Sequence, residues 1–158
     1  MARRPTAAGE AEMASDTEKG LEGRCLCGAV RFRAMGAPNW VAHCHCESCR
    51  RATSSPFTTY VGYQAQQVVW SGETRTFHES SPGVQRSFCE RCGSPMSFGG
   101  AHWPGEIHLF LASFEIPEAL RPQAHVHVGE QLNWVHLNDG LPRFHASGRD
   151  DPPIKTPD

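Results

Sequence analysis

Hydrophobic and polar residues alternate with a period of two along several short segments of the chain. Val30, Phe32 and Ala34 alternate with arginines, which gives this segment one apolar and one charged face, as in a half-buried β-strand. Similar segments, rich in β-branched or aromatic residues and separated by Gly, Ser and Pro turns, lie at 57–63, 67–70, 74–78, 86–89, 107–111 and 125–128. Helical signals are limited to single turns at 47–52 and 117–120. The pattern predicts a mainly β fold with one or two short helical turns.

The distribution of apolar residues divides the chain into one domain and two tails. Residues 1–20 are polar, without a hydrophobic period, and are expected to form a flexible N-terminal tail. Residues 146–158 are rich in proline and are expected to form a C-terminal tail. Residues 21–145 then form one domain, which suits a chain of 158 residues.

Charge and hydropathy argue against several classes of partner. The chain has 15 basic and 17 acidic residues, and residues 21–145 contain ten Arg, ten acidic residues and no Lys, so no basic surface for a nucleic acid is expected. No apolar run approaches the roughly 18–20 residues that span a bilayer. The N-terminal residues lack the apolar core of a secretory signal. We therefore expect a cytoplasmic protein without nucleic-acid or membrane partners.

Seven cysteines fall into three groups: Cys25 with Cys27, Cys44 with Cys46 and Cys49, and Cys89 with Cys92. An odd number of cysteines in a reducing compartment fits a disulfide framework poorly. The first and last groups together supply four thiolates, which is the ligand set of a closed, tetrahedral zinc site. The alternative is that these cysteines are small buried apolar residues. A zinc site would tie the first strand of the domain to a distant segment and stabilise the fold.

The middle group, Cys44, Cys46 and Cys49, offers only three thiolates. A zinc ion with three protein ligands keeps one open position, which distinguishes a catalytic site from a structural one. The alternatives are a second closed site, completed by His43 or a distant histidine, and an uncoordinated, redox-active triplet. In an extended segment His45 points away from Cys44 and Cys46, so we expect a catalytic proton carrier rather than a ligand.

Arg50 and Arg51 follow directly after the third cysteine of the middle group. A guanidinium group binds a carboxylate through two hydrogen bonds, so both arginines are candidates for binding an acidic substrate. The alternative is that they are solvated or pair with groups of the protein itself. Trp40, Trp103 and Trp134 are similarly either core residues or part of a pocket wall.

Three segments, 23–32, 44–50 and 88–93, are similar to the signature motifs of one protein family, and 125–144 adds a further match. The sequence resembles the GFA family of glutathione-dependent formaldehyde-activating enzymes, which includes the centromere protein V domain. The resemblance covers about residues 21–145 and implies a β-tent of packed antiparallel sheets. It also implies two zinc ions per chain, a structural ion at Cys25, Cys27, Cys89 and Cys92 and an ion with an open position at Cys44, Cys46 and Cys49.

The reaction implied by the resemblance joins a small thiol, glutathione or a similar molecule, to formaldehyde or a related electrophile, as in the formation of S-hydroxymethylglutathione. Such an enzyme is classed as a carbon–sulfur lyase, and its catalytic residues here would be Cys44, Cys46, Cys49 and His45. The alternatives are a non-catalytic zinc-stabilised module that binds a protein, and a thiol redox or metal-handling protein. The open edges of antiparallel sheets also favour a homodimer.

At one position the sequence departs from the family pattern. The family usually has a Gly a few positions after the third cysteine of the middle group, where this chain has Ser54. A Gly at such a position permits a positive φ or the close approach of a substrate. The serine is therefore expected to alter the shape of the pocket nearby.

Overall fold

The structure, a computed structural model, describes residues 20–154, so the expected N-terminal tail lies outside the described residues apart from Gly20. Its strands are β1 (Leu21–Arg24), β2 (Val30–Ala34), β3 (Trp40–Cys44), β4 (Thr58–Gln64), β5 (Val68–Gly72), β6 (Thr76–Ser81), β7 (Val84–Phe88), β8 (Pro95–Gly100), β9 (Trp103–Phe110) and β10 (Ala124–Val126). An α-helix, α1 (Glu47–Thr53), follows β3, and 3₁₀ turns occupy Ala65–Gln67, Leu111–Ser113, Pro117–Ala119 and Val128–Glu130. In this part of the chain, no helix is both long and apolar enough to cross a bilayer.

The strands of residues 20–154 form two sheets. The smaller sheet has the order β1-β2-β5, and the larger has the order β10-β3-β4-β9-β8-β7-β6. Neighbouring strands are antiparallel, whereas β10 lies parallel to β3 and aligns His125 with His43. The sheets pack through a shared apolar core that includes Phe32, Val61 and Leu109. The fold is mainly β with short helical turns, as the sequence predicts.

The larger sheet has two different faces, because successive side chains of a strand point to opposite sides. The face that carries Val61 and Leu109 packs against the smaller sheet. The opposite face carries a second apolar cluster, in which Tyr60 and Phe98 pack with cysteines of the middle group. The fold thus separates the core between the sheets from a second, cysteine-containing region.

The sequence pattern predicts some elements well and misses others. The segment at 30–34 coincides with β2, and the helical turns at 47–52 and 117–120 coincide with α1 and a 3₁₀ turn. The strands β1, β3 and β8 are not among the segments that the pattern predicts. β1 contains Gly23, on which the Phe32 ring lies, and β8 begins with Pro95 and ends in two glycines. Gly and Pro weaken the sequence signal of a strand, but tertiary packing forms the strand nevertheless.

The segment that follows β10 returns to pair with it. The backbone N–H of Phe144 donates to the carbonyl of His125 at 2.8 Å. Further along, the Asp151 carboxylate accepts hydrogen bonds from the N–H groups of Ala146 and Gly148. The described part of the expected C-terminal tail therefore forms a turn beside the edge of the larger sheet.

Candidate metal centres and active site

The first and last cysteine groups form one cluster. Cys25 and Cys27 lie in the turn after β1, and Cys89 and Cys92 lie in the turn after β7. Their four sulfur atoms all lie within 4.8 Å of one another, with Sγ–Sγ distances of 3.5 Å for Cys25–Cys27 and 3.9 Å for Cys27–Cys89. Sulfurs at the corners of a tetrahedron, each about 2.3 Å from zinc, stand about 3.8 Å apart. The four donors therefore fit a zinc ion.

The backbone around the four-cysteine cluster suits charged sulfur. Gly93 has a φ of 71° directly after Cys92, which glycine adopts without strain. The N–H of Val30 donates to the sulfur of Cys25 at 3.3 Å. A hydrogen bond with Ser94 lowers the pKa of Cys92 to about 5, which favours its thiolate. Because the two turns extend from different sheets, a metal ion here would link the sheets.

The middle cysteines form a second cluster where β3 ends and α1 begins. Cys44 is the last residue of β3, and Cys46 caps α1 by accepting the N–H of Cys49 at 3.4 Å. The three sulfur atoms lie within 4.8 Å of one another, and those of Cys44 and Cys46 are 3.5 Å apart. This three-cysteine cluster therefore converges on one point with one donor fewer than the first cluster.

The three thiols are too close together to be charged at the same time without a cation. Hydrogen bonding with Cys46 and Cys49, together with burial, raises the pKa of Cys44 far above its ordinary range. Hydrogen bonds from Cys44 and Cys46 lower the pKa of Cys49, and Tyr60 and Arg86 contribute in the same direction. A single thiolate is thus favoured among metal-free cysteines. A divalent cation would stabilise the thiolate forms of the other two cysteines as well, so these three donors also fit a zinc ion.

Tyr60 and Arg86 flank the three-cysteine cluster. Tyr60 is 1% exposed, and its hydroxyl has no hydrogen-bond partner within residues 20–154. Nη1 of Arg86 also lacks one in this part of the chain, although its Nε donates to Ser80 at 3.1 Å. Both side chains lie close enough to Cys49 to influence its thiolate electrostatically, but neither of these atoms makes a hydrogen bond of normal geometry to it. Two buried hydrogen-bond donors are therefore available for a polar ligand atom beside the cysteines.

Buried histidines form a hydrogen-bonded chain on the other side of the β3 backbone. His45 Nε2 lies 3.0 Å from His125 Nδ1, and His125 Nε2 lies 3.0 Å from the Asp139 carboxylate. His43, whose ring centroid is 4.8 Å from that of His125, forms with His125 and Asp139 a third group whose donor atoms lie close enough for a metal; His45 is not part of it. Both nitrogens of His125 already have partners, so we interpret the group as support for the segment that holds Cys44.

His45 is fully buried within this chain, and its ring stacks on Phe57 with centroids 5.4 Å apart. Burial lowers the pKa of His45 to about 4, and the positive potential of His125 and Arg143 adds to the effect. The neutral imidazole is therefore favoured at neutral pH. The catalytic role of His45 stays a prediction.

The two arginines of α1 lie in different surroundings. Arg50 donates to the backbone carbonyls of His45 and Glu130, both at 3.1 Å. Arg51 pairs with Glu47 at 2.7 Å, and its side chain is 78% exposed. Arg50 thus connects the segments on either side of the cluster, whereas Arg51 is accessible from solvent. Substrate binding by either arginine stays a prediction.

Ser54 ends α1 in a left-handed conformation, with φ 51° and ψ 34°, and its N–H donates to the carbonyl of Arg50. This is the position at which the family resemblance implies Gly. A left-handed residue at the end of a helix is most often Gly, because a Cβ costs about 1–2 kcal/mol there. The residue also lines a surface cleft with Arg51 and Trp134.

A polar cavity of about 570 Å³ opens between α1 and the strands β6–β8. Its lining includes Arg51 and Arg86, together with His78 and several serine hydroxyls. Guanidinium and hydroxyl groups in a concave site suit a ligand with carboxylate and amide groups. The cavity adjoins the three-cysteine cluster, because Arg86 interacts with Cys49.

Reasoning from the sequence missed four residues of this region: Tyr60, Arg86, His125 and Asp139. Asp139 precedes Gly140 and has the pattern of a turn, so only the folded chain shows its contact with His125. Tyr60 lies in a predicted strand, but the alternation does not reveal what its face contacts. A local signal exists only for His125, which is a polar residue between the apolar positions of a strand.

Comparison with known proteins gives a consistent assignment. A family model described as glutathione-dependent formaldehyde-activating enzyme matches residues 20–130. A Halomonas elongata protein, provisionally named as such an enzyme, is 31% identical over 128 residues, which cover 74% of this chain and 80% of that protein. An uncharacterised lyase of Schizosaccharomyces pombe is 36% identical over 90 residues, which cover 57% of this chain and 64% of the lyase.

Among solved structures, the crystal structure of a Rhodobacter sphaeroides protein matches with a TM-score of 0.49 and 20% identity, over 60% of this chain and 88% of that one. The family model covers most of the chain and includes all seven cysteines. The chain therefore belongs to the glutathione-dependent formaldehyde-activating enzyme family.

Proposed function

We propose that this chain is a zinc-dependent carbon–sulfur lyase that joins a small thiol, glutathione or a similar molecule, to formaldehyde or a related aldehyde. The observation that carries the proposal is the convergence of Cys44, Cys46 and Cys49 on one point with only three donors. Membership of the family supports it, as do the names of the Halomonas and Schizosaccharomyces relatives.

The three-cysteine cluster would hold the reactive ion, and a zinc ion bound there would favour the thiolate form of the substrate thiol at neutral pH. The thiolate sulfur adds to the carbonyl carbon of the aldehyde, so that a C–S bond forms and the π electron pair of C=O moves to oxygen. That oxygen takes up the proton that the thiol has lost. The adduct therefore contains every atom of the two substrates, and the lyase direction is the reverse.

Side chains around the three-cysteine cluster would assist the addition of the thiolate to the aldehyde. Tyr60 Oη and Arg86 Nη1, which have no partners within residues 20–154, can donate hydrogen bonds to an oxygen that gains charge. The polar cavity beside α1, with Arg51 in its lining, suits the carboxylates of a glutathione-like thiol. The hydrogen bonds from His45 through His125 to Asp139 support the segment that carries Cys44, on the side opposite to the cluster.

The four-cysteine cluster has a structural role in the proposal. Its donors complete a tetrahedral shell by themselves, so no position remains for a substrate. Protein purified without chelators is expected to contain about two zinc ions per chain, measured by plasma mass spectrometry.

Exchange NMR of glutathione and formaldehyde, with and without the zinc-loaded protein, tests the reaction directly. We expect the wild type to accelerate adduct formation and Cys46→Ser to lose most of this acceleration. The control Ser71→Ala, at an exposed position of β5, should keep it. Cys46→Ser should also bind about one zinc ion fewer and stay folded, which separates loss of the site from loss of the fold. A wild type that holds both ions but gives no acceleration would overturn the proposal and favour a binding or redox role.

A further inference from the structure

An apolar cavity of about 320 Å³ lies on the face of the larger sheet that carries the three-cysteine cluster. Cys44 and Tyr60 form part of its wall, so the cavity adjoins the proposed reaction site. It shares no lining residue with the polar cavity beside α1. The cluster is thus flanked by two cavities of different chemistry.

Aromatic rings in edge-to-face contact form the walls of the apolar cavity. Phe98 meets His108 with centroids 4.3 Å apart and Trp103 with centroids 5.3 Å apart, at interplanar angles of 80° and 85°. Trp40 meets His108 in a similar way at 4.8 Å. Such contacts are favoured by the charge distribution of the rings and hold each ring in place. The cavity is therefore a preformed pocket.

Small residues form another part of the lining. Ala42 and Ala124 are paired on the neighbouring strands β3 and β10, and both line the cavity. Gly62 lies opposite Trp40 on β4, and a Cβ at Gly62 would overlap the indole ring. Gly62 thus makes room for the Trp40 ring, and the two alanines add little bulk to the lining, so space for a flat group remains beside the aromatic rings.

Two buried polar atoms of lining residues lack hydrogen-bond partners within residues 20–154, Tyr60 Oη and His108 Nδ1. The other ring nitrogen of His108 lies 3.1 Å from the Glu106 carboxylate. Buried polar atoms without partners are costly, and a ligand with an oxygen atom removes that cost. The pocket thus combines apolar walls with a small number of polar groups, as binding sites for small molecules do.

We propose that the apolar cavity binds an aryl or similarly flat apolar group of the aldehyde, so that the electrophile of this chain is larger than formaldehyde. The inference rests on the proposed carbon–sulfur chemistry and specifies the second substrate. The cavity has the volume of about ten water molecules at ~30 Å³ each, whereas formaldehyde has only two non-hydrogen atoms. The thiol, if it is like glutathione, has two carboxylates and suits the polar cavity instead.

With its apolar group in the cavity, the aldehyde would present its carbonyl group toward Cys44, where the Tyr60 hydroxyl can donate to the oxygen. The bonds formed and broken are those of the addition described above. No oxidant or further reactant is needed, since the thiol proton ends on the former carbonyl oxygen.

Binding of 3-phenylpropan-1-ol, the unreactive alcohol analogue of 3-phenylpropanal, tests the cavity without any catalysis. Tryptophan fluorescence and protein NMR shifts report binding, because Trp40 and Trp103 line the cavity. Ala124→Phe should weaken binding about tenfold or more, since the added ring fills the space between the walls. The control Val69→Phe adds the same ring at an exposed position of β5 and should leave binding unchanged. If Ala124→Phe does not fold, Trp103→Leu, which removes one wall, is the second variant.

Rates with glutathione and each aldehyde complete the test. We expect kcat/KM for 3-phenylpropanal to exceed that for formaldehyde, and the ratio to fall about tenfold or more in Ala124→Phe. No binding of the alcohol, or equal binding by wild type and Ala124→Phe, overturns the inference even if formaldehyde reacts. Binding of the alcohol without acceleration for either aldehyde overturns the proposed reaction, and with it the assignment of the bound group to an electrophile.

Discussion

Replacement of Ser54 by glycine should stabilise the protein. Ser54 has a φ of 51° at the end of α1, a conformation that is most often adopted by glycine at the end of a helix. A residue with a Cβ costs about 1–2 kcal/mol in this conformation. Glycine removes that cost but loses about 0.5–1 kcal/mol more conformational entropy on folding. The expected gain in the free energy of unfolding for Ser54→Gly is therefore about 0.75 kcal/mol, the difference between the midpoints of these two ranges.

The matched control is Ser54→Ala. Alanine also removes the hydroxyl group but keeps the Cβ, so it should give none of the gain. Denaturant unfolding followed by circular dichroism, at one fixed concentration of free zinc, measures the difference between the two variants, because bound metal adds to apparent stability. For a chain of this length, 1 kcal/mol corresponds to about 2–4 °C in Tm.

The comparison of the two variants decides whether backbone strain is the cause. If Ser54→Gly is no more stable than Ser54→Ala at equal zinc content, the left-handed conformation stores no strain, and the reasoning is wrong. If both variants are equally stabilised relative to the wild type, the hydroxyl group rather than the backbone is responsible.

Three other changes test the four-cysteine cluster, the apolar cavity and a buried histidine. Cys89→Ser should abolish cooperative unfolding in circular dichroism, because it removes a ligand that joins both sheets; a soluble variant with two zinc ions would contradict this. Gly62→Ala should cost about 1–3 kcal/mol and shift the tryptophan emission, because the added Cβ displaces the Trp40 ring; an unchanged spectrum would count against it. Burial lowers the pKa of His108 below its ordinary value of 6.5, although Glu106 opposes the shift. The contribution of the neutral His108 to stability is therefore complete above about pH 6.5 and is lost as the pH falls below that value. His108→Gln should therefore flatten the decrease in the free energy of unfolding below that pH, in denaturant titrations, and an unchanged slope would show that burial of His108 is not the cause.

The local part of the candidate site could be predicted from the sequence. Cys44, Cys46 and Cys49 lie within six positions, so their spacing alone brings their sulfurs close together. The first and last cysteine groups are far apart in the chain, and the need of a closed zinc site for four ligands predicts that they come together. The structure places these sulfurs together, within 4.8 Å.

The rest of the site depends on contacts that no local pattern reveals. His45, His125 and Asp139 come from the loop after β3, from β10 and from a later turn, and their contact requires the parallel pairing of β10 with β3. The apolar cavity likewise requires the register that places Gly62 opposite Trp40. The sequence leaves open whether Trp40 and Trp103 belong to the core or to a pocket, and the structure shows both packed against the second apolar cluster and lining the apolar cavity.

The order of the cysteines in the chain also has a consequence for folding during synthesis. Cys27 leaves the ribosome 62 residues before Cys89, which is about 3–12 s at 5–20 residues per second. The three-cysteine cluster is complete once Cys49 emerges, 40 residues before Cys89 and therefore about 2–8 s earlier at the same rate, whereas the four-cysteine cluster then has half of its ligands. Zinc supplied early would therefore load the three-cysteine cluster before the four-cysteine cluster, and Cys25 and Cys27 must avoid capture by the middle cysteines until β7 has emerged.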